Sequence, residues 1–453
     1  MARATTDPAE VLGRALGGSV RGLARLSGGA SRITSSFDLE AAEGSVRRLI
    51  LQQERGLGIA PGSRTGVEAA LLVAAADAGV PVPRVVAAGA EAGLDPGWLV
   101  VERLEGETIP RRLLRDDKWA AARTALTRQC AVALASIHRI PVGAVPGLPP
   151  RDPFGDPLPF LDGLGEIRPA LELGVRWLGQ HRPATGRPVV VHGDFRMGNL
   201  LVGADGLCAV LDWELAHVGD PVEDLGWLCA PAWRFGGAGV VGGVGGLDEL
   251  LEAYAAAGGG SVDPERLRWW QVYGTVKWAV ICALQASVHL GGTSRSVELA
   301  TIGRRVCESE WDLLGLLGLA PTDGDTGPEA ARATDVTPPF GRPTATELVE
   351  AVREHLDATM ERADSDAARF DARVARNALA MVERELQLAP FLAPAHRRRL
   401  AELGSTDDAA LATSIRSGTF DDDLDGVGRI LAASARDQLL VANPAYLSAS
   451  SAT

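Results

Sequence analysis

The chain reads as an α+β protein, with an antiparallel sheet and one helix near the N-terminus, a mainly helical region after it, and a small all-α segment at the end. Three observations carry that reading. Short β-like runs separated by turns fill residues 20–58, helical stretches dominate from about Gly106 to Leu317, and a Pro/Gly/Thr/Asp-rich stretch precedes a last group of helical periods. The expected segments are therefore 1–105, 106–318, a linker at 319–342 and 343–453, which suits a length of 453 residues, too great for one ordinary core.

Each element follows from its own pattern. VRGLARL, RITSSFDLE and VRRLILQQ read as antiparallel strands around the glycine turn SGGAS. EAALLVAAADAG has helical spacing and is stopped by Gly79, and VPVPRVVAAG and WLVVERLEG supply two further strands. KWAAARTALTRQCAVALASIHRI is the clearest helix of the next region. VVH and AVLDW read as short strands separated by a turn at Ala204–Gly206, a hairpin-like arrangement. VYGTVKWAVICALQASVHL, the longest apolar region, contains Lys277 and Gln285, so it is expected as a core helix and not as a membrane span. In the tail, TATELVEAVREHLDATM opens with a capping-box pattern, Thr344 with Glu347, and repeats Leu348, Val352 and Leu356 every four residues. AARFDARVARNALAMVERELQL does the same with Phe370, Val374, Met381 and Val382, so the tail is expected to close a small bundle of its own.

Composition narrows the function classes. With 46% hydrophobic and 23% charged residues the chain is of the globular type. A net charge of −13 and the lack of a long basic run argue against nucleic acid as a partner. Lys118 and Lys277 are the only lysines, which leaves nearly all cationic work to arginine. The five cysteines are odd in number and form no CxxC pair, so neither a disulfide framework nor a zinc site is expected and a reducing cytoplasm is the simplest setting. MARATTDPAEVLGRALGG has no unbroken apolar region, so a secretory signal is not expected, nor is a membrane partner.

The chemistry concentrates in VVHGDFRMGNLLVGADGLCAVLDWELAHVGDPVEDLGW, residues 190–227, which carries Asp194, Asp212, Asp220 and Asp224. Asp194 stands in a loop after a β-like run, five residues before Asn199, and Asp212 ends a strand thirteen residues further on. A loop aspartate can accept a proton from a hydroxyl nucleophile, while an amide oxygen and a second carboxylate are hard oxygen ligands suited to Mg²⁺. Taken singly, a loop Asp or Asn usually caps a turn. The whole constellation is what points to phosphoryl transfer.

With LSGGAS, GVPVPRV, HGDFRMGN and LDWELAHVGDPVEDLGW in place, residues 20–318 resemble the aminoglycoside phosphotransferase and choline kinase superfamily, in particular a branch similar to the kinase-like domain of some acyl-CoA dehydrogenases. The resemblance implies a two-lobed protein-kinase-like fold, an antiparallel-sheet small lobe and a mainly helical large lobe, that uses ATP or GTP with Mg²⁺. It implies Asp194 as catalytic base, Asn199 and Asp212 as magnesium ligands, and His192 as the residue packing the catalytic loop against the Asp212 segment. Arg196 would orient Asp194 or touch the γ-phosphate, and Asp220 and Asp224 would brace the loop and the following helix.

The resemblance also makes Ser27, Gly28, Gly29, Ala30 and Ser31 the nucleotide loop, although a glycine pair alone equally suits a plain turn. Glu68 would pair with a strand cation, and Glu102 to Leu104 would form the hinge that meets the base. The chain departs from the pattern at that cation. Ile50, Leu51 and Gln52 stand where the related branch has Val-Leu-Arg or Val-Leu-Lys, and glutamine supplies no charge to the phosphates. Arg48, on the same strand face, and Arg55, just after the strand, are the two candidates to replace it.

The expected activity is that of a kinase that phosphorylates a small-molecule hydroxyl, preferably a hydroxyacyl compound such as a hydroxyacyl-CoA. The alternative, favoured by Gln52, is a nucleotide-binding pseudokinase or scaffold that acts through its tail. Around RVARNALAMVEREL that tail resembles a small helical domain of unknown role that accompanies such kinases, and it is the expected place for a homodimer contact or a protein partner.

Overall fold

The computed structural model describes residues 7–26, 32–54, 65–89, 97–153, 161, 167–184, 186–319 and 345–450. The loop Ser27–Ser31, Arg55 and nearly all of the expected linker lie outside these residues. Two compact units emerge. The first joins Met1–Arg151, Thr185–Cys229 and Trp233–Leu267, and the second joins Asp152–Ala184, Ala230–Ala232 and Arg268–Thr453.

Unit 1 opens with α1 (Pro8–Leu16), which the strand-by-strand reading passes over although its signals are in the sequence. Asp7 accepts the Ala9 amide at 3.0 Å, Pro8 opens the helix, and Gly17 closes it with a left-handed φ of 69°. Five strands follow: β1 (Gly18–Arg25), β2 (Arg32–Ala41), β3 (Val46–Glu54), and, after α2 (Thr65–Asp77), β4 (Val85–Gly89) and β5 (Trp98–Glu102). They form one antiparallel sheet in the order β1-β2-β3-β5-β4.

Alternation sorts the two faces of that sheet. Phe37 and Leu39 of β2, Leu49 and Leu51 of β3, and Trp98 and Val100 of β5 share one face and bury against Val11 and Leu12 of α1. The other face carries the intervening residues of each strand. Thr34 is registered with Gln52 and Gln52 with Leu99, and Arg32, two residues before Thr34, points to that same face.

The chain continues through α3 (Pro110–Arg115) and α4 (Ala120–Ile137), with α5 (Pro169–Gln180) belonging to unit 2. Short strands β6 (Val189–Val191), β7 (Leu200–Gly203), β8 (Gly206–Val210) and β9 (His217–Gly219) come next, followed by α6 (Pro221–Leu228) and α7 (Leu247–Tyr254). Here the pairing corrects the sequence reading. The hairpin joins β7 to β8, while the Val189–Val191 run pairs antiparallel with β9. Three-residue strands carry too little periodicity to choose a partner, so the loop geometry between them decides it.

Unit 2 holds most of α8 (Pro264–Leu290), then α9 (Val297–Gly303), α10 (Val306–Leu316), α11 (Ala345–Glu361), α12 (Asp366–Glu402), α13 (Asp408–Ser417), α14 (Leu424–Ala442) and α15 (Pro444–Ser450). Trp269, Tyr273, Val276 and Val280 of α8 are buried, so its apolar length serves a core. No helix among the described residues is long and apolar enough to cross a membrane.

The tail does not close a bundle of its own. Leu400, Leu411, Ile415, Val427 and Leu431 share one core with Ala170 and Leu173 of α5 and Leu314 of α10. Arginines tie the same elements together: Arg416 pairs with Glu172 at 2.5 Å and Arg168 with Glu310 at 3.1 Å. By contrast, Leu348 and Val352 of α11 are 54% and 49% exposed, so the four-residue repeat that reads as core lies largely in water. α11 packs on α12, whose Val382 is itself 43% exposed. α12 also packs on α14 and α9, so it cannot turn its whole apolar stripe toward α11.

Candidate active site

The loop between β6 and β7 sets the site, and the backbone fixes its shape first. Gly193 takes a left-handed φ of 79°, and a Cβ there would collide with the Leu215 carbonyl oxygen, so only glycine fits between His192 and Asp194. Asp224, on α6, reaches back with both oxygens: Oδ2 accepts the His192 amide and Oδ1 the Gly193 amide, each at 2.8 Å. The His138 ring nitrogen Nε2 stands 3.2 Å from Oδ2, and His138 Nδ1 is 2.7 Å from the Tyr254 hydroxyl. Burial opposes charge on Asp224, but His138, and then the His192 ring and amide, outweigh it and hold the carboxyl below the usual carboxylate range.

His192 is wholly buried. Its Nδ1 accepts the Asp194 amide at 3.2 Å and its Nε2 lies 3.1 Å from the Leu211 carbonyl, so the proton sits on Nε2 and donates to Leu211. Burial pushes its pKa down despite Asp224 and Asp194, which keeps the ring neutral, and its face packs 4.7 Å from the Trp213 ring.

The Asp194 carboxylate receives three side chains. Trp227 Nε1 donates to Oδ1 at 2.8 Å, Arg196 Nε to Oδ1 at 3.0 Å, and Asn199 Nδ2 to Oδ2 at 2.6 Å. Arg196 is held in turn over the Trp233 ring, its guanidinium carbon 4.8 Å from the centroid. Because the Asn199 nitrogen faces Asp194, its amide oxygen is the end directed elsewhere. Nothing in the sequence marks Trp227 or Trp233 as partners of the loop, since Trp227 comes to it on α6 and Trp233 on the short turn Pro231–Arg234 that follows.

Asp212 has a φ of 64°, in the left-handed region where a non-glycine residue is uncommon and where functional sites concentrate such strain. Burial first, and then the negative charges of Glu214 and Asp194, raise its pKa to about 7, with Arg32 opposing them. Asp220 does a separate job: it caps α6 through the Val222 amide at 3.0 Å and accepts from Arg266 Nε at 3.1 Å.

On the sheet side, Arg32 at the start of β2 reaches Glu68 of α2 with Nη1 at 2.5 Å and Glu214 with Nε at 3.2 Å. Burial raises the Glu68 carboxyl above its ordinary range, and Arg32 opposes that rise without cancelling it. Arg32 also loses hydration, yet the carboxylates around it outweigh that loss and raise its pKa. Neither Arg32 nor Glu214 is marked by the sequence reading, although Arg32 directly follows the glycine loop and Glu214 directly follows LDW.

The other expected residues lie apart from this cluster. Arg48 is largely exposed and pairs with Glu105 at 3.1 Å, and Glu102 pairs with Arg84 at 2.5 Å. Leu104 is exposed beside them. A cavity of about 790 Å³ is lined by Ala70, Val73 and Asp77 of α2 with Val85 and Arg139. It contains none of the candidate catalytic residues, so the carboxylate cluster and not the cavity marks the chemistry. Among the described residues, no group of three or more His, Cys, Asp or Glu is arranged to hold a metal by itself.

A neutral His, a triply hydrogen-bonded loop aspartate and a second, half-buried aspartate accompany a five-stranded sheet with its helix, and the fold is of the protein-kinase-like type. The chain belongs to the phosphotransferase enzyme family, whose model matches residues 23–270, and residues 362–446 match a domain of unknown function, DUF6285. Over 63 residues the chain is 44% identical to acyl-CoA dehydrogenase family member 10 of Mus musculus, which is 14% of this chain and 6% of that protein. Over 144 residues it is 28% identical to aminoglycoside 3'-phosphotransferase of Escherichia coli, 29% of this chain and 52% of that protein. The chain thus spans about half or less of the curated relatives it matches. A solved structure from Ralstonia eutropha, described as an aminoglycoside phosphotransferase, overlays with a TM-score of 0.54 at 19% identity, covering 69% of this chain and 98% of that one, a likeness of fold.

Proposed function

We propose that the protein transfers the γ-phosphoryl group of ATP or GTP to the hydroxyl of a small metabolite, with Mg²⁺ present. The observation that carries this reading is the charge balance of the site. Glu68, Asp194, Asp212 and Glu214 crowd together with Arg32 and Arg196 as their described cationic partners, and burial together with the charges of Glu214 and Asp194 raises Asp212. A cluster with that excess of hard oxygen donors suits a divalent cation.

Asp212 and the Asn199 amide oxygen would hold the ion, which when bound neutralises charge on the phosphates. Nucleotide oxygens would complete its shell, since the protein offers too few ligands alone. Asp194 takes the proton of the acceptor hydroxyl. Arg196, Asn199 and Trp227 fix the orientation of its carboxylate, and Asp224 and His192 hold the loop backbone rigid beneath it. Glu102 to Leu104 would receive the base, and Ser27–Ser31 the phosphates.

For the acceptor, the match to acyl-CoA dehydrogenase family member 10 supports a hydroxyacyl compound, such as a hydroxyacyl-CoA, over an aminoglycoside. The apolar residues exposed on α11 and α12 support contact with a second copy or a protein partner. The second reading, a nucleotide-binding scaffold without turnover, rests on Gln52. The experiment that separates the two is a panel of hydroxyl metabolites incubated with γ-labelled ATP, with Asp194→Ala as control. Label transfer that needs Asp194 supports the enzyme, and nucleotide binding with no Asp194-dependent transfer to any acceptor supports the scaffold.

A further inference from the structure

Gln52 leaves the third strand without the cation that would face the nucleotide phosphates, and the sheet register shows where another cation stands. Thr34 of β2 lies directly opposite Gln52 of β3, and Arg32 is two residues from Thr34 on the same face. A residue and its diagonal neighbour on the adjacent antiparallel strand have their Cα atoms about 7–8 Å apart, within reach of a long side chain. Arg32 therefore overlooks the patch of sheet that Gln52 occupies.

One of its contacts, that with Glu68, is the one expected of the missing cation. Arg32 is nearly buried, with a side chain 11% exposed, and it pairs with Glu68 on α2 and with Glu214, two residues past Asp212. Arg48 fails the same test, because its guanidinium is 65% exposed and pairs with Glu105.

We propose that Arg32 replaces the third-strand cation: from β2 it supplies the positive charge toward the α and β phosphates and ties α2 to the segment that follows Asp212. This assignment rests on the nucleotide-dependent reading above. A guanidinium suits the double task, because its fork of five N–H donors meets two carboxylates and a phosphate in fixed directions, whereas an ammonium acts as a point charge.

The test is the affinity for Mg·ADP, read by calorimetry on the full chain. Arg32→Gln weakens binding by on the order of tenfold or more, as expected for loss of one charge-assisted contact. Arg32→Gln leaves Glu68 buried without a cation and can fail to fold, so Arg32→Gln combined with Glu68→Gln, which removes both charges, is measured as well and shows the same loss. Adding Gln52→Lys to Arg32→Gln returns the charge from the neighbouring strand and restores affinity to within about threefold of wild type. Wild-type affinity in the Arg32→Gln, Glu68→Gln protein overturns the assignment of Arg32, and so does a loss that Gln52→Lys fails to restore. A wild-type chain that binds no Mg·ADP at millimolar concentration overturns the nucleotide reading itself, and the assignment with it.

Discussion

Buried acids serve two purposes in this molecule, and the count of arginines beside them separates the two. In unit 2 each buried glutamate has its own arginine: Glu172 with Arg416, Glu308 with Arg305 and Glu310 with Arg168. Around Asp194 and Asp212 the acids outnumber their described arginine partners, and burial, reinforced by the charges of Glu214 and Asp194, lifts Asp212 to about 7. A balanced network is complete and holds elements together; an unbalanced one keeps an unfavourable charge that a cation or a proton can relieve.

The comparison makes opposite demands on mutation. Its largest consequence is on rate: Asp194→Ala lowers turnover on the order of a thousandfold, the scale of a lost general base, while the melting temperature changes little. A melting loss as large as that of a unit 2 variant would break the distinction.

Next comes Arg416→Ala. It leaves Glu172 uncompensated in a largely buried place and lowers stability by about 2 kcal/mol, below the usual cost of a broken buried pair because Arg416 is itself half exposed. Chemical denaturation measures this, and Glu172→Gln in the same chain recovers most of it.

A smaller effect with the reverse sign is expected at the site. The folded carboxyl of Asp212 titrates near 7, above its unfolded value near 4, so the folded state binds the extra proton and this group's contribution falls as pH rises from about 4 to 7. Without magnesium, Asp212→Asn therefore raises stability at pH 8 by roughly 1 kcal/mol or more, with a smaller gain at pH 5. It also abolishes any magnesium-dependent rise in melting temperature. A destabilising Asp212→Asn would show that the cluster is balanced after all.

The smallest effect belongs to the exposed stripe of α11. Leu348→Asp with Val352→Asp changes monomer stability by less than about 0.5 kcal/mol, as for other surface positions. Light scattering after gel filtration shows whether it abolishes association.

Much of the fold and of the site was legible because their signals are local. The strand–strand–strand–helix–strand–strand order of the N-terminal region follows from alternation and turns within a few residues of each element. The spacing of Asp194, Asn199 and Asp212 lies within one loop and one hairpin, and the cap that Asp220 makes on α6 is a matter of two residues. Where only a stripe was visible, as in α11 and α12, periodicity identified the helices and could not say what covered them.

The sequence by itself therefore determined the family, most of the element types and the acidic residues of the candidate site, because each rests on residues close along the chain. The tertiary structure alone decided which cation stands opposite that acidic half and what the tail packs against. Arg32 meets Glu68 and Glu214 only through sheet register and helix packing, and Leu411 and Val427 meet Leu173 only in a shared core. Those contacts join residues far apart in the chain, where no periodicity or motif spacing carries information and close packing makes the choice.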